Sequence, residues 1–220
     1  MVNRGVHEPL EEFCFQTLLS RLNESLPSML ELGAYWAHYS MWLKKSFPDA
    51  YCVMVEPDRS NLACGKNNFS LNGYDGKFIN EAVGSNHWML DKYAYSNDLQ
   101  HLDILHADIQ GYEVEMLHGA NRFLAEHRAD YIFISTHSEE LHQEVCGLLE
   151  GLEYRVEISS PVITHTTSGD GFVFASSPKV NLLFDGFEPI GRIDISRSNP
   201  TELIDYIGKA KAFVHSRKFL

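Results

Sequence analysis

The stretch Met29-Leu30-Glu31-Leu32-Gly33-Ala34-Tyr35-Trp36 (MLELGAYW) decides the fold of this chain. A short apolar run breaks at a glycine, a residue whose backbone turns where others cannot. A helical pattern follows over Trp36–Phe47 and stops at Pro48. Working outward, Tyr51–Val55 reads as a second strand that ends at Glu56-Pro57-Asp58. Asp58–Leu71 reads as a helix started by Asp58 or Ser60 and closed by Asn72-Gly73. Further strands are expected over Lys77–Val83, Leu102–Ile109, Tyr131–Ser135, Tyr154–Ile158 and Gly171–Ala175, with helices over Tyr112–His127 and Glu139–Leu149. Upstream, Phe13, Leu18, Leu19 and Leu22 give Pro9–Asn23 an amphipathic pattern, and Thr201–Val214 reads as a last helix. The alternation predicts an α/β, Rossmann-like domain. Its sheet is mostly parallel and seven-stranded, flanked by helices, with an edge hairpin at the end. The expected organisation is an N-terminal helix over 1–27, a core over 28–178 and an extension with a final helix over 179–220.

Composition narrows the function. The 220 residues carry a formal charge of −12 and are 44% hydrophobic, enough for one domain with a substantial core. That acidity disfavours nucleic acid and tolerates a cationic ligand. Cys14, Cys52, Cys64 and Cys146 form no CxxC pair, so reduced, mostly buried thiols are expected. Met1–Leu10 lacks the character of a signal peptide, and no apolar run approaches the roughly 20 residues of a membrane helix. A cytoplasmic protein without membrane insertion is expected.

In a sheet of this kind ligands bind beyond the carboxyl ends of the strands. A dinucleotide site asks for G-x-G-x-x-G, so that bare amides meet the pyrophosphate. This chain has Gly33 alone, with Ala37 further along, and it places Glu31 at the end of the first strand. A carboxylate there would repel pyrophosphate but suits the ammonium and sulfonium of S-adenosylmethionine; the bland alternative is a helix-start or salt-bridge acid. Glu56, about 20 residues on, can accept hydrogen bonds from ribose hydroxyls. Ala82 and Val83 could line an adenine slot.

These pieces together resemble the FkbM family of S-adenosylmethionine-dependent methyltransferases. The matching runs are ELGAYWAHYS (31–40), VEPDRSNLACGKNNFSLN (55–72), EAVGS (81–85) and LDILHADIQGYEVEMLHGA (102–120). The resemblance implies a class I methyltransferase fold and an O-methylation, often of a sugar hydroxyl. It makes Glu31, Gly33 and Ser40 methionine-side contacts, Glu56 the ribose acid, and Ala82 and Val83 the adenine wall. Asp108 becomes the acid beside the transfer point and Glu113 the acid of the following helix. The chain departs from the family at Ala37, His106, Gln110 and Ser135, and Tyr35-Trp36 are bulky for that loop; His137 keeps the usual histidine. The short stretch between Gly84 and Leu102 implies reduced substrate-facing elements.

Methyl transfer to a hydroxyl needs alignment and a proton acceptor. Asp108 and His137 are the candidates, His137 because an unperturbed imidazole titrates near about 6.5. His106 and Asp108 share strand parity, so with His137 or His165 they could hold a divalent metal. Asp170 and His165–Thr167 could border the acceptor pocket. Tyr35, Trp36 and Tyr39 could shape the cofactor mouth or pack against the first helix. The acceptor implied is a glycan or other small hydroxyl compound, and the 179–220 tail is a sheet cap or a homodimer contact. Two other readings stand beside this one. An NAD(P)-dependent oxidoreductase lacks its glycine fingerprint, and a non-catalytic module on the same fold would be free to lose Glu31, Glu56 and Asp108.

Overall fold

Cys52, Val53, Met54 and Val55 are all buried, as are all six residues of Leu102–Ala107. Strands apolar on both faces need helices on both sides, and that sandwich is what the computed structural model of the chain shows. It describes residues 6–23, 26–85 and 87–216. In chain order the elements are α1 (Pro9–Leu19), β1 (Ser28–Leu32), α2 (His38–Ser46), β2 (Tyr51–Val55), α3 (Arg59–Leu71), β3 (Lys77–Ile79), α4 (Leu90–Ser96) and β4 (Leu102–Ala107). There follow α5 (Glu113–Gly119), α6 (Asn121–Ala125), β5 (Ala129–Thr136), α7 (Glu139–Gly151), β6 (Arg155–Ser160), β7 (Gly171–Ser176), α8 (Arg192–Arg197) and α9 (Pro200–Ser216).

The strand order is β3-β2-β1-β4-β5-β7-β6. Neighbours are parallel from β3 to β5, and β7 runs antiparallel to both β5 and β6. The chain steps outward from β1 to β3, then crosses back to β4, so the order reverses between β1 and β4 and opens a crevice at their carboxyl ends. Strand parity divides the interior. Leu30, Leu32, Leu105, Ile132 and Ile134 face α4 to α7, whereas Met29, Ile104, Phe133 and Phe174 face α1, α2 and the extension. Phe15 of α1 and Leu183 and Phe184 of the extension lie in that second core.

The structure differs from the sequence reading in several places, each with a local cause. β3 stops at Ile79, because the chain at Val83 leaves the sheet and pairs back on Trp88. The helix expected over Tyr112–His127 is two helices. Both oxygens of Asp91 accept the Arg122 and Phe123 amides, at 2.9 and 2.8 Å, and start a new helix after Ala120. α4 adds to the expected elements, and Leu90, Tyr93 and Ala94, with their i, i+3, i+4 signature, are its buried face. α8 is likewise additional. All four cysteines are free; Cys14 and Cys52 are buried, Cys64 is exposed and Cys146 lies between. Among the described residues no helix is long and apolar enough to cross a membrane.

Candidate functional site

A cleft of about 590 Å³ opens at the β1/β4 crevice, and Gly33, Glu56, Ala82, Val83 and Asp108 line it. Tyr35 and Tyr112 add two aromatic rings to its wall. Gly33 is required here: its φ is +71°, and a Cβ would lie 1.7 Å from the Asp108 carbonyl oxygen. The ends of β1 and β4 can meet only because that atom is missing. Left-handed backbone recurs at every second position, with φ of 46° at Tyr35 and 64° at Ala37. The turn therefore keeps a glycine-type course with two non-glycine residues in it, and α2 begins at His38 rather than Trp36.

Glu56 is 6% exposed. Its Oε2 accepts the Tyr35 amide at 2.9 Å and its Oε1 accepts the Asp58 amide at 2.9 Å. Asn80 ties the Glu56 and Pro57 carbonyls at 2.9 and 2.8 Å, which fixes the turn. Asp58 caps α3 by accepting the Ser60 and Asn61 amides, as the sequence suggested. Asn61 Nδ2 also approaches Oε1 at 3.5 Å, so acceptor capacity is left chiefly on Oε2.

Across the cleft, Asp108 follows β4 and His137 follows β5. His137 Nδ1 lies 2.7 Å from Glu113 Oε1, and its Nε2 lies 3.2 Å from Asp108 Oδ1 and 3.8 Å from Asp170 Oδ1. Burial works against the charged imidazole, but bonding to Asp108 and Glu113 outweighs it and lifts His137 to about 10. That favours the imidazolium at neutral pH, a poorer proton acceptor than the neutral base expected from the sequence. Asp108 moves the other way: burial would raise it, yet the ion pair with His137 and the charge of the nearby histidines hold it below the usual carboxylate range. Gln110 Nε2 adds a bond to Asp108 Oδ1 at 3.1 Å. Glu113 is fully buried, and its Oε2 has no partner.

Other expected residues lie elsewhere. Glu31 is buried on the α1/α2 side, where its oxygens accept the Tyr39 and Ser40 amides at 3.2 and 3.1 Å and cap α2 in place of Ala37. The bland helix-start reading describes this placement, and neither Glu31 nor Ser40 lines the cleft. Glu31 pairs with His106 across β1 and β4, so both point to that same side. His106 Nε2 lies 2.6 Å from Glu11 Oε1 of α1, and Ser135 Oγ donates to Glu11 Oε2 at 2.9 Å. Burial pushes Glu11 up to about 7, and Glu8, one turn earlier, up to about 9. These two acids carried no signal in the sequence beyond their i, i+3 spacing.

The expected metal set of His106, Asp108 and His137 is not assembled. β4 ends at Ala107, so His106 is held under α1 by Glu11 while Asp108 and His137 meet in the cleft. His165 bonds Ser160 Oγ and the Pro189 carbonyl instead. Among the described residues only His101, Asp103 and Asp130 come close enough to share an ion. They lie at the opposite end of the sheet, where the two aspartates hold His101 up near 10. Tyr39 packs on Phe15 and His106, while Tyr35 and Trp36 stay half-exposed. Asn61, His87 and Tyr112 line the cleft unforeseen.

The fold and family resemblances agree with this geometry. The family model described as the methyltransferase FkbM domain matches residues 89–156. A methyltransferase FkbM from Methylobacillus flagellatus KT superposes with a TM-score of 0.58 at 18% identity, covering 79% of this chain and 49% of that one. This chain thus spans about half the length of that protein. A precorrin-6y C5,15-methyltransferase from Geobacter metallireducens GS-15 gives 0.56 at 14% identity over 76% of this chain and 87% of the other. TrmK from M. capricolum, solved with S-adenosyl-homocysteine, gives 0.55 at 11% identity over 92% and 96%. No curated protein matches. The fold is that of the class I S-adenosylmethionine-dependent methyltransferases, and the resemblance to the FkbM type holds.

Proposed function

We propose that this domain, with its class I methyltransferase fold and its FkbM-type region, binds S-adenosylmethionine in the β1/β4 cleft and methylates a hydroxyl oxygen. The acceptor class is a glycan or other small hydroxyl compound, as the FkbM resemblance implies. The observation that carries the reading is the placement of two carboxylates, Glu56 and Asp108, in one cleft at the switch point, with no lysine or arginine among its lining residues. Such a wall repels a pyrophosphate and favours a sulfonium. The lining fits that cofactor. Glu56 has acceptor capacity for ribose hydroxyls, Ala82 and Val83 offer an apolar wall, and Gly33 leaves the backbone open.

The bound cofactor supplies an electrophilic methyl group. The chain's own part is to hold the acceptor in line and to take its proton. Asp108 is ionised and partly exposed to the cleft, so it accepts the hydroxyl hydrogen bond and then the proton. A carboxylate of low basicity suffices, because an oxygen gaining a methyl becomes a strong acid as the bond forms. His137 keeps Asp108 charged and aimed, and buried Glu113 fixes the imidazolium from behind. Asp170, on the same imidazolium, borders the acceptor side. The free cysteines fit a reducing, cytoplasmic setting.

The test is calorimetric titration with S-adenosylmethionine, S-adenosylhomocysteine and NAD, beside Glu56→Ala. Binding of the first two, lost in the variant, supports the reading, and methyl transfer to a panel of sugars and small alcohols then defines the acceptor. Binding of NAD alone would sink it.

A further inference from the structure

Two residues of the 33–37 turn hold left-handed backbone without being glycine, and they differ in what repays the strain. Ala37 is fully buried in the α1/α2 core, so its methyl group gains packing. Tyr35 gains little of that, because it is 51% exposed. A bulky side chain in this region is a true outlier, and such strain gathers at ligand-contacting sites. The Tyr35 amide is fixed by Glu56, and its ring rests against Trp36 with centroids 5.0 Å apart. Tyr35 is one of the residues lining the cleft that also holds Glu56 and Asp108.

An aromatic face attracts a desolvated cation more strongly than a neutral thioether. The cofactor and its product differ at the sulfur alone: the donor's sulfonium carries the methyl and a positive charge, and the product's thioether has neither. We propose that Tyr35 is a specificity-determining residue whose ring favours the cationic methyl donor over its neutral product. The inference rests on the methyltransferase reading above. It assigns the ring a second consequence, since a cleft that favours the donor releases the product more readily and limits product inhibition.

The experiment measures affinities for S-adenosylmethionine and S-adenosylhomocysteine by calorimetry on the wild type, Tyr35→Phe, Tyr35→Leu and Tyr35→Gly, with melting temperatures as a folding check. The expected result is that Tyr35→Phe binds both like the wild type. Tyr35→Leu is expected to weaken the donor about three- to tenfold while the product changes less than about twofold. Tyr35→Gly removes ring and strain together and is expected to melt higher with the same selective loss, which keeps the test alive if the leucine variant folds poorly. Equal loss of both ligands, or loss of neither, overturns the inference alone, because the wild type still binds. A wild type that binds neither ligand overturns the methyltransferase reading and this inference with it.

Discussion

Two groups of carboxylic acids sit within the same end of the sheet and behave oppositely. Glu56 and Asp108 face the cleft, and backbone amides or an imidazolium surround them, so Asp108 is held below its usual range. Glu8 and Glu11 lie between α1 and the sheet, where burial dominates and pushes them to about 9 and 7. His106, their neighbour, is itself pushed down by burial. Residue type does not separate the groups; the depth of burial and the charge of the partner do. Glu31 is intermediate: buried like Glu11, yet facing two amides of α2, and still raised because burial outweighs them.

The sharpest test of this contrast is at its extremes. Glu56→Ala is expected to weaken S-adenosylmethionine about a hundredfold, through loss of charge-assisted bonds, while Glu11→Gln stays within about twofold by calorimetry. Equal losses would erase the distinction. Next, Glu11→Leu leaves His106 Nε2 and Ser135 Oγ without their partner and is expected to cost about 2–4 kcal/mol in urea unfolding, whereas Glu11→Gln costs far less.

His137→Gln is expected to cost about 1–3 kcal/mol at pH 7 and to let Asp108 titrate closer to an ordinary carboxylate, read by NMR or by the acid limb of the rate profile. The signs with pH differ between the groups. The folded value of His137 is raised, so its stabilisation is whole below about 6.5 and is lost as pH climbs through about 10. Glu8 and Glu11 bind protons more tightly when folded, so their share falls earlier, from about 4.5 upward through 7 and 9. Melting profiles of the Glu8→Gln/Glu11→Gln variant should flatten from pH 5 to 9, and that of His137→Gln only above about 6.5. Smallest of all, Glu31→Gln is expected to cost about 1 kcal/mol as a weakened helix cap and to leave cofactor affinity within about twofold; a large loss would move Glu31 into the cleft group.

The sheet was legible because buried parallel strands are apolar runs that glycine and Pro-containing turns interrupt, as at Val55-Glu56-Pro57 and Leu32-Gly33. Glu56, Gly33 and Asp108 were legible for the same reason, since they sit where such runs end. Side-chain direction was not. Glu31 and Asp108 both lie at strand ends, yet one is inside β1 and follows its parity toward α2, while the other lies one residue past β4 and escapes. A single position decides which, and element ends are the least certain feature of a sequence. The protonation of His137 was hidden for another reason: its partners come from residues 108, 113 and 170. No local pattern announces a cation assembled from three separate segments.

The bond between α1 and the strands it covers also bears on how the chain comes together. Glu11 meets His106 and Ser135, 95 and 124 positions later, and α1 packs against β7, the last strand made. During synthesis the first helix therefore has only neighbours such as α2, through Phe15 on Tyr39 and Trp42, until nearly all of the sheet has emerged. Contacts of such long range are slow to form. In the interval its apolar face, with Cys14, Phe15 and Leu18, is a surface for a chaperone to shield. A nascent chain halted before β7 should leave that helix accessible to protease, and release of the remaining residues should protect it.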